Sequence, residues 1–119
     1  MTTIKPLIKN FLLYQGTTFK ALFNWQIAEL PLEQNCIAAM QIRPSITDPI
    51  IISTLTTENG KIIINASAGF IELKIPATET ATFDFVKAVY DLELEFPNGD
   101  RYRIAQGQIS LNQEVTRDI

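Results

Sequence analysis

The acidic residues Asp91, Glu93 and Glu95 are the first candidates for chemistry. Spaced by two, they share one face of any strand that carries them. There they stand close enough for acid–base work by a carboxylate pair, or for holding a cation. The plainer alternative is a solvated strand face, and it is favoured because the chain has no Asp-rich loop with calcium-ligand spacing. Arg101 and Arg103 follow on the returning arm of a hairpin, so cross-strand ion pairs with Glu93 and Glu95 account for all four residues. Histidine is absent from the 119 residues, which excludes a Ser-His triad, a histidine general base and a histidine-ligated metal. Cys36 falls on the apolar face of its segment with no histidine to activate it, and a small buried hydrophobe fits it better than a nucleophile.

The other side chains with functional potential also have structural readings. Ser45, Ser53, Ser67 and Ser110 lack a Gly-x-Ser-x-Gly setting, and Gly60, Gly69, Gly99 and Gly107 sit at turns or bends rather than in a phosphate-cradling loop. Phe19, Phe23 and the sole tryptophan, Trp25, form an aromatic stripe that could stack on sugars or bases. Its strand periodicity and polar opposite face point instead to a core packed between two sheets. Tyr90 fits a tyrosine corner, its hydroxyl bonded to backbone close to the preceding crossover. Lys5 and Lys9 flank a short apolar patch, a weak membrane-surface signal. No catalytic, cofactor-binding or metal-ligating residue is assigned, and no cofactor is expected.

The elements that carry these residues are strands, because the hydrophobic period is 2 rather than 3.6. Thr17–Ile27 and Asn35–Arg43 each alternate with one wet face, and Ile50–Thr57 reads as a more fully buried strand. Asn59-Gly60 then signals a hairpin into Lys61–Ile64. Ala66–Gly69 is a second turn, leading to Phe70–Ile75, where Pro76 stops the strand. Ala77–Val86 breaks the alternation and reads as a crossover between sheets, with at most one helical turn near 78–83 and Thr78 as its N-cap. Lys87–Phe96 is the cleanest strand, turning at Pro97–Asp100 into Arg101–Ala105. Gly107 marks a bulge, and Gln108–Val115 closes the set. Seven or eight strands at this spacing predict an all-β, antiparallel, immunoglobulin-like sandwich, a small barrel being the alternative.

Composition bounds the rest. The chain has the length of one domain, expected to span 1–119, with residues 1–16 as an extended arm or edge strand. Ten basic and thirteen acidic side chains give a net charge of −3, without the basic stripe of a nucleic-acid binder. A single cysteine forms no internal disulfide and suits a reducing compartment. The N-terminus carries no secretory pattern and no apolar run long enough to insert in a membrane, so a leaderless protein is expected.

Three ordered patterns carry a family likeness. They are Gln15-Gly-Thr-Thr-Phe19 with Phe23-Asn-Trp25, then Ala39-Met-Gln-Ile-Arg43 with Leu55–Ile62, and then Ile71–Thr78 with Tyr90-Asp-Leu-Glu-Leu94, Gly107-Gln-Ile109 and Glu114-Val-Thr-Arg117. The order resembles small phage and prophage proteins of tailed-phage structural regions. It is similar to the immunoglobulin-like N-terminal domain of upper baseplate proteins. The resemblance runs from about Gln15 to Arg117 and implies a virion structural module of the tail or baseplate, with no enzymatic residues. Its expected partners are other phage structural proteins and further copies of itself. Its expected location is the bacterial host cytoplasm during assembly and then the virion. Two other classes compete: a carbohydrate- or host-surface-binding module using Phe70, Phe83 and Phe85, and a small enzyme using Asp84 and Asp91.

Overall fold

The computed structural model describes residues 4–117. Nine strands and one helical turn follow in order: β1 (Leu7–Ile8), β2 (Phe11–Tyr14), β3 (Phe19–Asn24), β4 (Ile37–Arg43), β5 (Ser53–Thr56), β6 (Ile62–Asn65), β7 (Phe70–Ile75), α1 (Ala77–Thr80), β8 (Lys87–Glu95) and β9 (Arg101–Asn112). They form two sheets. One runs β1-β9-β8-β4-β5, with β2 continuing the β1 edge along β9, and the other runs β3-β7-β6. The neighbours are antiparallel except where β1 and β2 run parallel to β9. A first strand parallel to the last, with a three-stranded sheet opposed to the β9-β8-β4 sheet, is the strand order of an immunoglobulin-like sandwich.

Alternation builds the core as the sequence predicts. Phe19 and Phe23, Ala38, Met40 and Ile42, Ile71, Leu73 and Ile75, and Leu92 and Leu94 are all buried between the sheets. Burying these apolar faces against each other is the main drive for two sheets to stack. Phe11, from the edge strand, sets its ring edge-on to Phe19 at 5.2 Å and to Phe23 at 6.1 Å, joining β2 of one sheet to β3 of the other.

Several expectations change. Asn59-Gly60 is a turn but not a hairpin: β5 pairs with β4, β6 pairs with β7, and the turn carries the chain from one sheet to the other. Gly60 supplies the left-handed φ of +80° that reverses the chain. That local geometry leaves open which sheet the next strand joins. Ile50 and Ile51 are exposed, because strand β5 begins only at Ser53. Thr78 does not cap α1. Pro76 holds the N-cap position, and Thr80 instead donates its hydroxyl to the Thr17 carbonyl at 2.7 Å. β9 runs unbroken through Gly107, and the ladder's irregularity lies at Ile104, beside the Leu92/Glu93 step, where Ile104 and Ala105 are both buried. Gly107 serves another purpose: a Cβ there would stand 2.2 Å from the Lys9 carbonyl oxygen. The missing side chain lets the N-terminal edge cross close to β9.

Candidate interaction surface

The outer face of the larger sheet holds the acidic residues singled out by spacing. β8 turns Asp91, Glu93 and Glu95 outward, and β9 brings Arg101 opposite Glu95 and Arg103 opposite Glu93. Arg101 donates to the Glu95 carboxylate at 2.8 Å. Arg103 leans past Glu93 to Asp91, with 3.6 Å between its Nε and the carboxylate. The expected Glu93–Arg103 pair is therefore replaced by a diagonal one, and among the described residues Glu93 forms no ion pair. Arg43 donates to the Asp48 carbonyl at 2.9 Å and to Gln41 Oε1 at 2.8 Å. An open trough of about 970 Å³ covers this face, its walls including Ile8 on one side and Ile46 on the other. Asp91 borders the trough; Asp84 does not, lying exposed in the crossover after α1. Among the described residues, no group of three or more acidic or cysteine side chains is placed to hold a metal.

The remaining candidates take structural places. Cys36 is buried, and burial pushes its thiol pKa up. Trp25 lies just past the end of β3, half-buried, donating its indole N–H to the Leu30 carbonyl at 2.8 Å, with its ring against Phe96. Phe83 is buried and tilts against the half-buried Phe85 at 5.7 Å, while Phe70 is half-buried in β7. Lys9 lies over the Phe11 ring at 5.9 Å. Tyr90 is buried, and burial pushes its phenol up to about 12. Its hydroxyl donates to the Lys9 carbonyl at 2.6 Å. The tyrosine-corner expectation fails there, because the strand lying over Tyr90 is the N-terminal edge and not the preceding crossover. Ser53, rather than serving as a nucleophile, donates at 2.6 Å to the Glu79 carboxylate, which Lys61 also contacts. This polar clamp ties β5, the β6 entry and α1 together. Sequence spacing offers no sign of it, because its members lie 18 and 26 residues apart.

The sheet edges separate into two kinds. A strand edge leaves every second residue with its N–H and C=O directed away from the sheet. On β5 two of those groups are bonded: the Asn59 side chain accepts from Thr56 N–H at 3.0 Å and donates to the Thr54 carbonyl at 2.9 Å. On β6, Gln34 donates to the Ile64 carbonyl and accepts from Ala66 N–H. Two amides thus stand in for part of a neighbouring strand at each of two edges. The other two edges are barer: on β2 the Thr17 hydroxyl donates to the Tyr14 carbonyl at 2.7 Å at the end of the strand, and on β3 no side chain among the described residues covers the edge. The Trp25 N–H bonds to the Gly69 carbonyl, so alternation assigns Phe23, Ala21 and Phe19 to the ladder with β7. It leaves Lys20, Leu22 and Asn24 bonding outward, and among the described residues nothing in the chain meets these groups. Because Phe11 of β2 packs on Phe19 and Phe23 of β3, the two open edges share one flank. Leu7, Ile8, Leu12, Tyr14 and Leu22 are all exposed along it.

No family model matches the chain, and no curated protein matches it. Among solved structures, the extracellular domains 3–5 of Drosophila OTK are similar at 12% identity with a TM-score of 0.39. The match covers 91% of this chain and 34% of the other, so this chain spans about a third of that structure's length. The assignment to the immunoglobulin-like sandwich rests on strand order and pairing.

Proposed function

We propose that this chain is a non-enzymatic assembly module of a phage-like particle, in the tail or baseplate, binding other structural proteins through its uncovered flank. The observation that carries the reading is the unequal treatment of the edges. Amide side chains of the chain itself cover part of β5 and β6, while β3 stays bare and β1/β2 is covered only at the Tyr14 carbonyl, beside exposed leucines, an isoleucine and a tyrosine. A monomer with no partner would be served by blunting all four, since an open apolar edge invites pairing with other chains. Strand addition to such an edge is a recognised binding mode, in which backbone bonds give affinity and alternate side chains give specificity. The phage context rests on the ordered sequence patterns from Gln15 to Arg117. In that setting the module works in the host cytoplasm during assembly and then in the virion.

The test is co-purification with the products of adjacent genes. A stable complex with a tail or baseplate component, lost when Leu12 and Tyr14 are both changed to Lys, is the expected result. Absence of binding to every neighbouring product would overturn the reading. Carbohydrate binding draws less support, because Phe83 is buried and packed at a tilt against Phe85 rather than displayed. A glycan array is expected to give no hits.

A further inference from the structure

The open β3 edge has a register that suits its own copy. Its outward-bonding residues are Lys20, Leu22 and Asn24, a set centred on Leu22. A two-fold axis through Leu22 runs a second β3 antiparallel to the first. Leu22 then exchanges both backbone bonds with Leu22 of the second copy, and Lys20 and Asn24 exchange theirs with Asn24 and Lys20. All six outward groups are satisfied in that register alone. Moving the axis to Lys20 sets two ammonium groups against each other and leaves Asn24 beyond the pairing; moving it to Asn24 loses Lys20.

Side chains agree with this choice. A lysine on an edge strand commonly guards it, but Lys20 is drawn back over its own sheet, 3.6 Å from Glu72 on the neighbouring β7. Leu22 is 53% exposed and Ile63 51%. Leu22, Glu72 and Ile63 form one row across the outer face of the small sheet. At the two-fold, two Leu22 side chains would meet, continuing that row into a second copy with no like charges opposed. An isologous contact of this kind closes on itself and does not propagate.

We propose that β3 pairs with β3 of a second copy across a two-fold axis at Leu22, joining the two three-stranded sheets into one of six strands. This deepens the reading of the chain as an assembly module by naming one partner and the edge that takes it. The test uses the chain alone: sedimentation velocity from about 5 μM to 1 mM on the wild type, on Leu22→Lys, on Leu22→Glu and on an equimolar mixture of the two variants. Circular dichroism confirms that each variant keeps its strands, as an exposed position allows. The wild type is expected to rise with concentration from 13.4 kDa toward twice that mass. Each variant should stay monomeric, because two like charges meet at the axis, and the mixture should recover the dimer. A wild type that stays monomeric throughout overturns the proposal, as does a dimer that survives in both variants or a mixture that fails to recover it. Binding to neighbouring gene products is measured separately, so either conclusion can fail while the other stands.

Discussion

At the residue scale, the contact that ties the N-terminus down is Tyr90 to Lys9. Tyr90→Phe leaves the Lys9 carbonyl without this donor in a half-buried setting, and should cost about 1–3 kcal/mol in urea unfolding. The pH dependence follows from the raised phenol. Its folded pKa of about 12 lies above the ordinary 10, so the protonated form is the one the fold favours. The stabilisation is fully present below pH 10 and is lost as pH rises toward 12. Absorbance titration should show one of the three tyrosines ionising late, together with alkaline unfolding, and Tyr90→Phe should remove that late step. Gly107→Ala forces a Cβ against the Lys9 carbonyl and is expected to destabilise by about 1–3 kcal/mol, read from the same urea curves. Cys36, buried and with its thiol pKa raised, should react with a disulfide reagent only slowly in the native state and promptly in denaturant.

At the element scale, the two amide caps make a prediction about edges. Asn59→Ala removes bonds to Thr56 N–H, Lys61 N–H and the Thr54 carbonyl, and is expected to cost about 1–2 kcal/mol. Gln34→Ala uncovers β6, so self-association at high concentration should increase, measurable by light scattering. The strands themselves were legible in the sequence. The alternation of Lys87–Phe96 and of Phe70–Ile75 assigns inward and outward residues as the structure has them. What alternation cannot carry is pairing. The turn at Asn59-Gly60 looks like a hairpin because its residues accept left-handed backbone, yet β5 and β6 belong to different sheets. Gly107 looks like a bulge in its own strand, while its reason lies in a chain segment nearly a hundred residues earlier. Neither Gln34 nor Asn59 carried a signal for capping an edge, since a polar amide in a loop reads the same whether or not a strand edge lies beside it.

At the scale of the whole molecule, the sandwich presents one flank partly covered by its own amides and one more open. Its Cα radius of gyration of 14.9 Å exceeds the ~13.5 Å expected for a compact chain of this length, in keeping with an elongated body of 48 × 30 × 21 Å. The conclusion about function comes from this asymmetry and not from any chemical constellation. Two of the three acids, Asp91 and Glu95, are held in ion pairs across β8 and β9, Ser53 is part of a clamp, and the aromatic stripe is largely core. The sequence marked only the β1/β2 part of this flank, through the expected edge strand in residues 1–16 and the apolar patch between Lys5 and Lys9; nothing marked β3, because the groups that matter there are backbone N–H and C=O, which every residue type carries.

Amide hydrogen exchange, resolved by residue, tests the flank directly. In dilute protein, Lys20, Leu22 and Asn24 should exchange rapidly, while Thr56 and Ala66, bonded to Asn59 and Gln34, should exchange slowly. On assembly, whether with a second copy or with a neighbouring structural protein on this edge, the three β3 amides should become slow. Protection that appears along β5 or β6 while the β3 and β2 amides stay fast would contradict the account.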